Sequence, residues 1–329
     1  MNMSLLTSYF NLEVLDKLDV SMEGGSTLLN FALALVMFGV ALGIKPATFV
    51  DIIKNPKSII TGIVCQIILL PALTLLLIIA CGNLLSPMVA LGMILVASCP
   101  GGNVSNFITS LSRGNSELSV SLTAFNTAAC IFTTPLNFAF WGKMYLNYAN
   151  NHHIGDLPEL VIPLGDIFQS IVIILGIPLV LGILCGQYLP KVTKILQKPL
   201  QNLSIVVFVA MVVIIFTGNF DVFKACIKYI FLIVLVHNLL ALGIGYGTST
   251  LLKLPYKDRR TLTIETGIQN SGLGLILLLN PNIFPPDGVW AENGGMLVIT
   301  AWWGVWHIIS GFTLAYLWRT RGRKEAPEE

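Results

Sequence analysis

Apolar positions in this chain alternate neither with the strand period nor with that of an amphipathic surface helix. They come in long runs, each close to the roughly 20 residues a helix needs to cross a bilayer. Nine runs stand out: 26–44, 57–80, 87–111, 116–138, 163–188, 202–217, 226–252, 260–280 and 293–318. The sixth is short but almost purely Val, Ile, Phe and Met. The pattern predicts an all-α polytopic membrane protein of nine transmembrane helices. Residues 26–318 form one transmembrane unit, preceded by an extracytoplasmic segment, 1–25, and followed by a polar cytoplasmic tail, 319–329.

Composition sharpens this picture. Of 329 residues, 55% are hydrophobic and only 11% charged, against roughly 25% charged in soluble domains. The mean hydropathy is +0.80. A net charge of +2 leaves no basic surface for nucleic acid, and no obligate protein partner is evident. Asp16, Lys17, Asp19 and Glu23 interrupt the N-terminus, so no cleavable signal peptide is expected. The six cysteines lack metal-ligand spacing and read as small buried hydrophobes.

Lysine and arginine placement sets the orientation. Of the nineteen basic residues, only Lys17, Lys143, Lys224 and Lys228 fall on one set of alternate loops, and the other fifteen fall on the opposite set. The N-terminus is then expected outside and the C-terminus in the cytoplasm.

Two polar strings break the apolar pattern, each inside a predicted span. They are Ser98-Cys99-Pro100-Gly101-Gly102-Asn103-Val104-Ser105-Asn106 in the third and Glu265-Thr266-Gly267-Ile268-Gln269-Asn270-Ser271-Gly272 in the eighth. Polar groups and helix breakers at that depth are costly and usually line a site or pathway. The strings lie five spans apart. The second and seventh spans match loosely, with an amide, Gln66 or Asn238, about one third of the way in. A five-span repeat has an odd number of crossings, so its copies run in opposite directions through the membrane. The first copy is expected over 26–138 and the second over 163–318. One helix is missing, the counterpart of the fifth span, ahead of residue 26.

Pro100 removes a backbone donor and Gly101-Gly102 adds freedom, which predicts an unwound third span. The half-helix restarting near Asn103 offers its N-terminus to an anion, while freed carbonyls with Ser105 and Asn106 suit a hard cation. A proline kink used only for packing is the competing reading. Glu265 is the one acidic residue well inside any span. Its partner is a bound cation, a proton or a residue of another helix. Gln269, four residues on, shares its face if the helix persists. Ser119 and Thr123 place two hydroxyls on one stripe of the fourth span, a pattern also used for packing. His307, midway along the last span, matters only if it faces the cavity, and His237 gets the same reading.

CPGGNVSN, ELSVSLT, ETGIQNSG and WHIISG, with QIILLP in the second span, resemble the bile acid:sodium symporter family in the same order along 26–318. The resemblance implies a core domain in which two discontinuous helices cross, a panel domain, and two Na+ ions beside the crossover. By motif, Ser105, Asn106, Ser119, Thr123 and Glu265 would hold the first ion. Gln66, Glu265, Gln269 and carbonyls near Thr266 and Ile268 would hold the second. A small organic anion, bile-acid-like or a carboxylate such as pantoate or pyruvate, would meet Asn103, Val104, Asn270 and His307. Asn103 and Ile308 depart from residues frequent in bacterial relatives, and an extra N-terminal helix of ten-helix relatives is lacking. The implied function is sodium-coupled symport by alternating access, in the cell membrane and without enzymatic chemistry.

A proton-coupled carrier using Glu265 is the nearest alternative, although a proton needs no cage of neutral oxygens. An arsenite-type carrier leaves the Glu265/Gln269 edge unexplained. An intramembrane serine hydrolase lacks its Gly-x-Ser-Gly, because Gln269 stands at the glycine position. A channel lacks a repeated filter.

Overall fold

The computed structural model describes residues 56–154, 164–218, 220–281, 283–285, 290 and 292–321, with scattered positions between 31 and 43. The expected N-terminal segment 1–25 and the tail beyond residue 321 lie outside the described residues. The second span is helix α1 (Pro56–Val64), a π-helical turn (Cys65–Leu69) and α2 (Leu70–Cys81). The third is divided into α3 (Pro87–Ser98) and α4 (Val104–Leu111). The fourth, α5 (Ser116–Asn151), runs well past its predicted end. The fifth comprises α6 (Leu164–Ile171), a second π-helical turn (Val172–Gly176) and α7 (Ile177–Tyr188). Then come α8 (Pro190–Gly218) and α9 (Phe220–Leu251). The eighth span is divided into α10 (Tyr256–Gly267) and α11 (Ser271–Leu278), and α12 (Gly294–Arg321) is the ninth. In the first predicted span the described positions include the buried Met37 and Ala41 on helical backbone.

Local sequence explains the boundaries. Ser86 caps α3, its hydroxyl accepting from the Val89 amide at 3.3 Å, and Pro87 occupies the first turn. Asn115 and Asn270 cap α5 and α11 in the same way, accepting from Leu118 at 3.1 Å and from Leu273 at 3.0 Å. The π-helical turn before Pro71 follows from the proline, which cannot donate to the carbonyl of Ile67. That orphaned carbonyl accepts from Asn137 Nδ2 on α5 at 2.9 Å.

Three of the four halves of the broken spans, α3, α10 and α11, lie largely inside and the continuous helices wrap them. All twelve residues of α3 are buried, as are Leu273 to Leu278 of α11 and Arg260 to Gly267 of α10. A helix apolar on every side belongs in the interior. The surrounding helices expose apolar side chains outward: Ile60 and Leu76 on α1 and α2, Phe132 and Phe140 on α5, Leu239 on α9 and Tyr316 on α12. Such a continuous apolar exterior fits lipid rather than water. Pro56–Leu84, Ile227–Leu251 and Gly294–Thr320 are long and apolar enough to cross a membrane.

Small residues let these helices approach closely. A methyl group on Gly92 of α3 would stand 2.8 Å from Met296 Cα and against Ile299 of α12. One on Gly62 of α1 would meet Leu122 of α5 at 2.7 Å. Gly92→Ala is therefore expected to lower stability by about 1–3 kcal/mol through overpacking. Gly243→Ala on α9 meets nothing within 4 Å and should leave stability unchanged or raise it slightly. Thermal melting of the detergent-purified variants checks the contrast.

Candidate functional site

The site is built from the two breaks meeting. α3 stops at Ser98 and α10 at Gly267, and the freed strands pair antiparallel as an isolated bridge, Gly101 with Gln269. The Gly102 amide donates to Ile268 O and the Asn270 amide to Pro100 O, each at 2.8 Å. Glycine is required on the first strand because the other chain lies so close. A methyl group on Gly102 would stand 3.0 Å from Gln269 O, and one on Gly101 would stand 3.3 Å from Glu265 Oε2. Two more amides complete the breaks. Gln66 Nε2 donates to Cys99 O at 3.0 Å, and Asn238 Nδ2 donates to Gly267 O at 2.8 Å. Cys99 and Gly267 each lie two residues ahead of the bridged pair, so the two donors do the same work on the two strands.

Glu265, on the last turn of α10, is 3% exposed. Three hydroxyls converge on its carboxylate. Ser105 Oγ donates to Oε1 at 2.6 Å and Thr123 Oγ1 to Oε2 at 3.0 Å, and Ser119 Oγ also donates to Oε1. Asn106 Oδ1 joins them, facing Ser119 Oγ at 2.9 Å and Thr123 Oγ1 at 3.3 Å. Ser105 Oγ and Thr123 Oγ1 lie 3.4 Å apart. α4 supplies Ser105 and Asn106, α5 supplies Ser119 and Thr123, and α10 supplies Glu265. The five residues read together from sequence are thus brought together. The Ser119/Thr123 stripe of α5 faces the acid.

The proton count at this cluster is one-sided. Three hydroxyl protons face two carboxylate oxygens, an amide oxygen and the lone pairs of the hydroxyls themselves. No basic side chain takes part in these hydrogen bonds. The pocket is a surplus of oxygen lone pairs around one acid, out of water. Its groups are all oxygens, the donor type that suits hard cations rather than soft ones.

The second group also assembles, with a different balance. Gln66, swung inward on the π-helical turn, and Gln269 exchange amide hydrogen bonds of 2.6 and 3.1 Å. Gln269 Nε2 also donates to Thr266 O at 2.7 Å, while Ile268 O already accepts from Gly102. Here donors and acceptors match. Because α10 ends at Gly267, Gln269 does not continue the helix face of Glu265. The shared face holds only where the helix does, and the two side chains diverge at the bridge.

Of the residues expected near an anion, Asn103 is exposed at the start of α4, and Val104 and Asn270 are half-buried. All three stand at the half-helix N-termini on either side of the bridge, where the helix dipole favours negative charge. The Asn270 side-chain oxygen is occupied in capping α11. His307 is buried, and its Nδ1 has no hydrogen-bond partner. It lies one turn before Gly311, whose face of α12 touches Ile268 and Ile108, so His307 shares the crossover-facing stripe. His237 is instead a packing residue, in contact with Thr74 Oγ1 at 2.7 Å and edge-on to Trp303.

Sequence reading missed several buried polar groups. Asp258 accepts from Ser58 Oγ at 2.6 Å and Asn115 Nδ2 at 2.9 Å. Arg260 donates to Ser112 O at 2.6 Å and Tyr256 Oη at 3.0 Å and lies over the Tyr256 and Trp318 rings. Asn126 lines a small cleft with Gln66, Ser98, Cys99, Pro100 and Asn137, its Oδ1 without a partner. None carries a local signal, because each depends on contacts between distant segments. Asn238 had one: its place in the seventh span mirrors that of Gln66 in the second.

The chain also has known relatives. The sodium bile acid symporter family matches residues 30–226. An uncharacterized sodium-dependent transporter of Bacillus subtilis, YocS, is 29% identical over 91% of this chain and 85% of its own length. The ileal sodium/bile acid cotransporter of Homo sapiens is 26% identical, covering 75% of this chain and 68% of that protein. The P3 protein of Bos taurus is 28% identical over 69% of this chain, which spans only 45% of that protein's length.

Thr123→Val keeps the shape of the site and removes one donor to Glu265. It is expected to destabilise the protein by about 1–3 kcal/mol, the cost of a buried acceptor losing its partner. Thermal melting against the parent protein at neutral pH measures this.

Proposed function

This chain belongs to the sodium bile acid symporter family, a family of membrane transporters and not enzymes, and we propose that it couples inward sodium movement to uptake of an organic anion. One observation carries the reading: three hydroxyls and an amide oxygen converge on the buried Glu265, and no basic side chain among the described residues takes part. A lone carboxylate at such depth costs several kcal/mol unless it is neutralised, and a sodium ion neutralises it while using the surplus acceptors. Ser119 and Thr123, on α5, can turn their protons to the carbonyl one helical turn back and present lone pairs to the ion.

The first ion sits among Ser105, Asn106, Ser119, Thr123 and Glu265. The second sits where Gln66 and Gln269 now pair, and takes their side-chain oxygens with the Thr266 and Ile268 carbonyls. Binding there requires the amide pair to open. The anion docks at the N-termini of α4 and α11, near Asn103, Val104 and Asn270, with His307 behind them. It is a bile-acid-like molecule or a small carboxylate such as pantoate or pyruvate. Both ions and the anion adjoin the same paired backbone, so each favours the arrangement the others need.

Alternating access follows from moving the helices around the crossover against the remaining ones, in an inverted-repeat architecture. The matched roles of Gln66 and Asn238 at the two breaks support that architecture. The C-terminal end of α12 is cytoplasmic on this reading.

Reconstituted proteoliposomes test the proposal. Glu265→Ala should insert normally and lose sodium-driven accumulation across a panel of bile acids and small carboxylates. Replacing external sodium with choline at fixed pH should abolish uptake by the parent protein. Full uptake in choline would assign the coupling to protons instead. Gln269→Ala should raise the sodium concentration for half-maximal uptake by roughly tenfold, the loss of about one ligand.

A further inference from the structure

The amide at the second break is held differently from the first. Gln66 is positioned by Gln269, a residue of the crossover itself. Asn238 is positioned from outside the crossover. Its Oδ1 accepts from Ser310 Oγ on α12 at 2.6 Å, while its Nδ2 donates to Gly267 O at 2.8 Å. Asn238 is fully buried at 0% exposure, so neither bond has water as a substitute. The Ser310 hydroxyl also lies 3.0 Å from the His307 carbonyl, and one proton serves two acceptors. When Ser310 points to Asn238 the amide is fixed. When it turns back to His307 O, the ordinary bond within its own helix, Asn238 loses its anchor.

The far end of this chain of bonds is two residues from Glu265. Gly267 ends α10, its carbonyl is freed by the break, and Ile268 and Gln269 form the bridge that follows. A methyl group on Gly267 would collide with Leu242 of α9, so the peptide has no slack on that side. At its near end the chain begins on the stripe of α12 that carries His307, whose Nδ1 lacks a partner.

We infer that Asn238 and Ser310 are positioning residues that tie α12 to the Gly267 peptide, so that the arrangement of α12 beside the anion site sets the affinity of the Glu265 cation site. The inference rests on the cation reading of Glu265 and adds a route by which the two sites sense each other. Neither residue touches the ion or the anion. Both act through the Gly267 carbonyl, which fixes the direction in which α10 ends and hence the carboxylate two residues earlier.

The test measures sodium activation of uptake in proteoliposomes, together with sodium-induced thermal stabilisation of the purified full chain without substrate. Asn238→Ala is expected to raise the sodium concentration for half-maximal uptake roughly tenfold. Apparent substrate affinity at saturating sodium should stay within about twofold of the parent. Ser310→Ala should produce a smaller rise and Ser310→Thr, which keeps the hydroxyl, should restore the parent value. The double variant should be no worse than Asn238→Ala, because the two residues act in one chain. If Asn238→Ala does not insert, the Ser310→Ala and Ser310→Thr pair decides alone. Unchanged sodium activation in Ser310→Ala and Asn238→Ala, or losses that simply multiply in the double variant, would overturn the inference. A parent protein that shows no sodium response by either measurement would instead overturn the cation reading on which it stands.

Discussion

An unpaired peptide group in hydrocarbon costs several kcal/mol, and each of the two broken spans frees several such groups. The structure depends on their cancelling one another. Gly102 and Asn270 donate to Ile268 and Pro100 across the bridge, and Gln66 and Asn238 take the carbonyls just ahead of it. Neither break is tolerable alone: without the other strand, the same backbone would face side chains that cannot hydrogen-bond. This explains why the breaks occur as a pair and why α3, α10 and α11 are the most deeply buried helices. It also explains why the continuous helices form the lipid-facing wrap.

Charge and backbone are packed into one small volume by the same constraint. Gly101 and Gly102 admit the opposing strand, and their missing side chains bring the Glu265 carboxylate against the bridge. A change in what neutralises Glu265 therefore acts directly on the paired strands, and through them on the starts of α4 and α11. On the proposed reading, no long pathway is needed between a cation at the acid and an anion at the half-helix ends. The distance between the two events is a few residues of strand.

Much of this was legible in the sequence, for reasons that also mark where it stopped. The long apolar runs and the two interrupted ones follow from bilayer thickness and backbone satisfaction, and from residue 56 onward the described helices overlap the predicted runs, although α8 begins at Pro190, twelve residues ahead of its run. Pro100-Gly101-Gly102 and Gly267 announce their breaks. The Glu265 group was gathered through the family resemblance of CPGGNVSN, ELSVSLT and ETGIQNSG; the residues alone showed that Ser119 and Thr123 share a helix face and that Ser105 and Asn106 adjoin a break. The end of α5 was not readable, because its polar last turns continue past the bilayer run. The divergence of Glu265 and Gln269 was left conditional: helix periodicity is a rule within an element, and only the structure locates the end of α10. Asp258, Arg260 and Asn126 are buried by neighbours more than a hundred residues away or by helix packing, and no local pattern encodes that.

Burial of a charge is therefore not what singles out the site. Arg260 and Asp258 are nearly as buried as Glu265, at 3% and 7% exposure, yet their partners suit them: a carbonyl, a phenol and two aromatic faces for the cation, a hydroxyl and an amide for the anion. These contacts fasten the start of α10 to α1 and to the turn between α4 and α5, which is a structural task. The Gln66/Gln269 pair is balanced as well, donor against acceptor. At Glu265 a buried carboxylate shares one cluster with three hydroxyls and an amide oxygen, and two of those hydroxyls, Ser119 and Thr123, divide their protons between Glu265 and Asn106. An excess of acceptors away from water is relieved by positive charge, and a site of oxygens alone, without imidazole or thiolate, favours a hard ion over a soft one. On the proposed cation reading, the convergence of three hydroxyls and an amide oxygen on one acid separates Glu265 from the anchoring charges a few residues before it on the same helix.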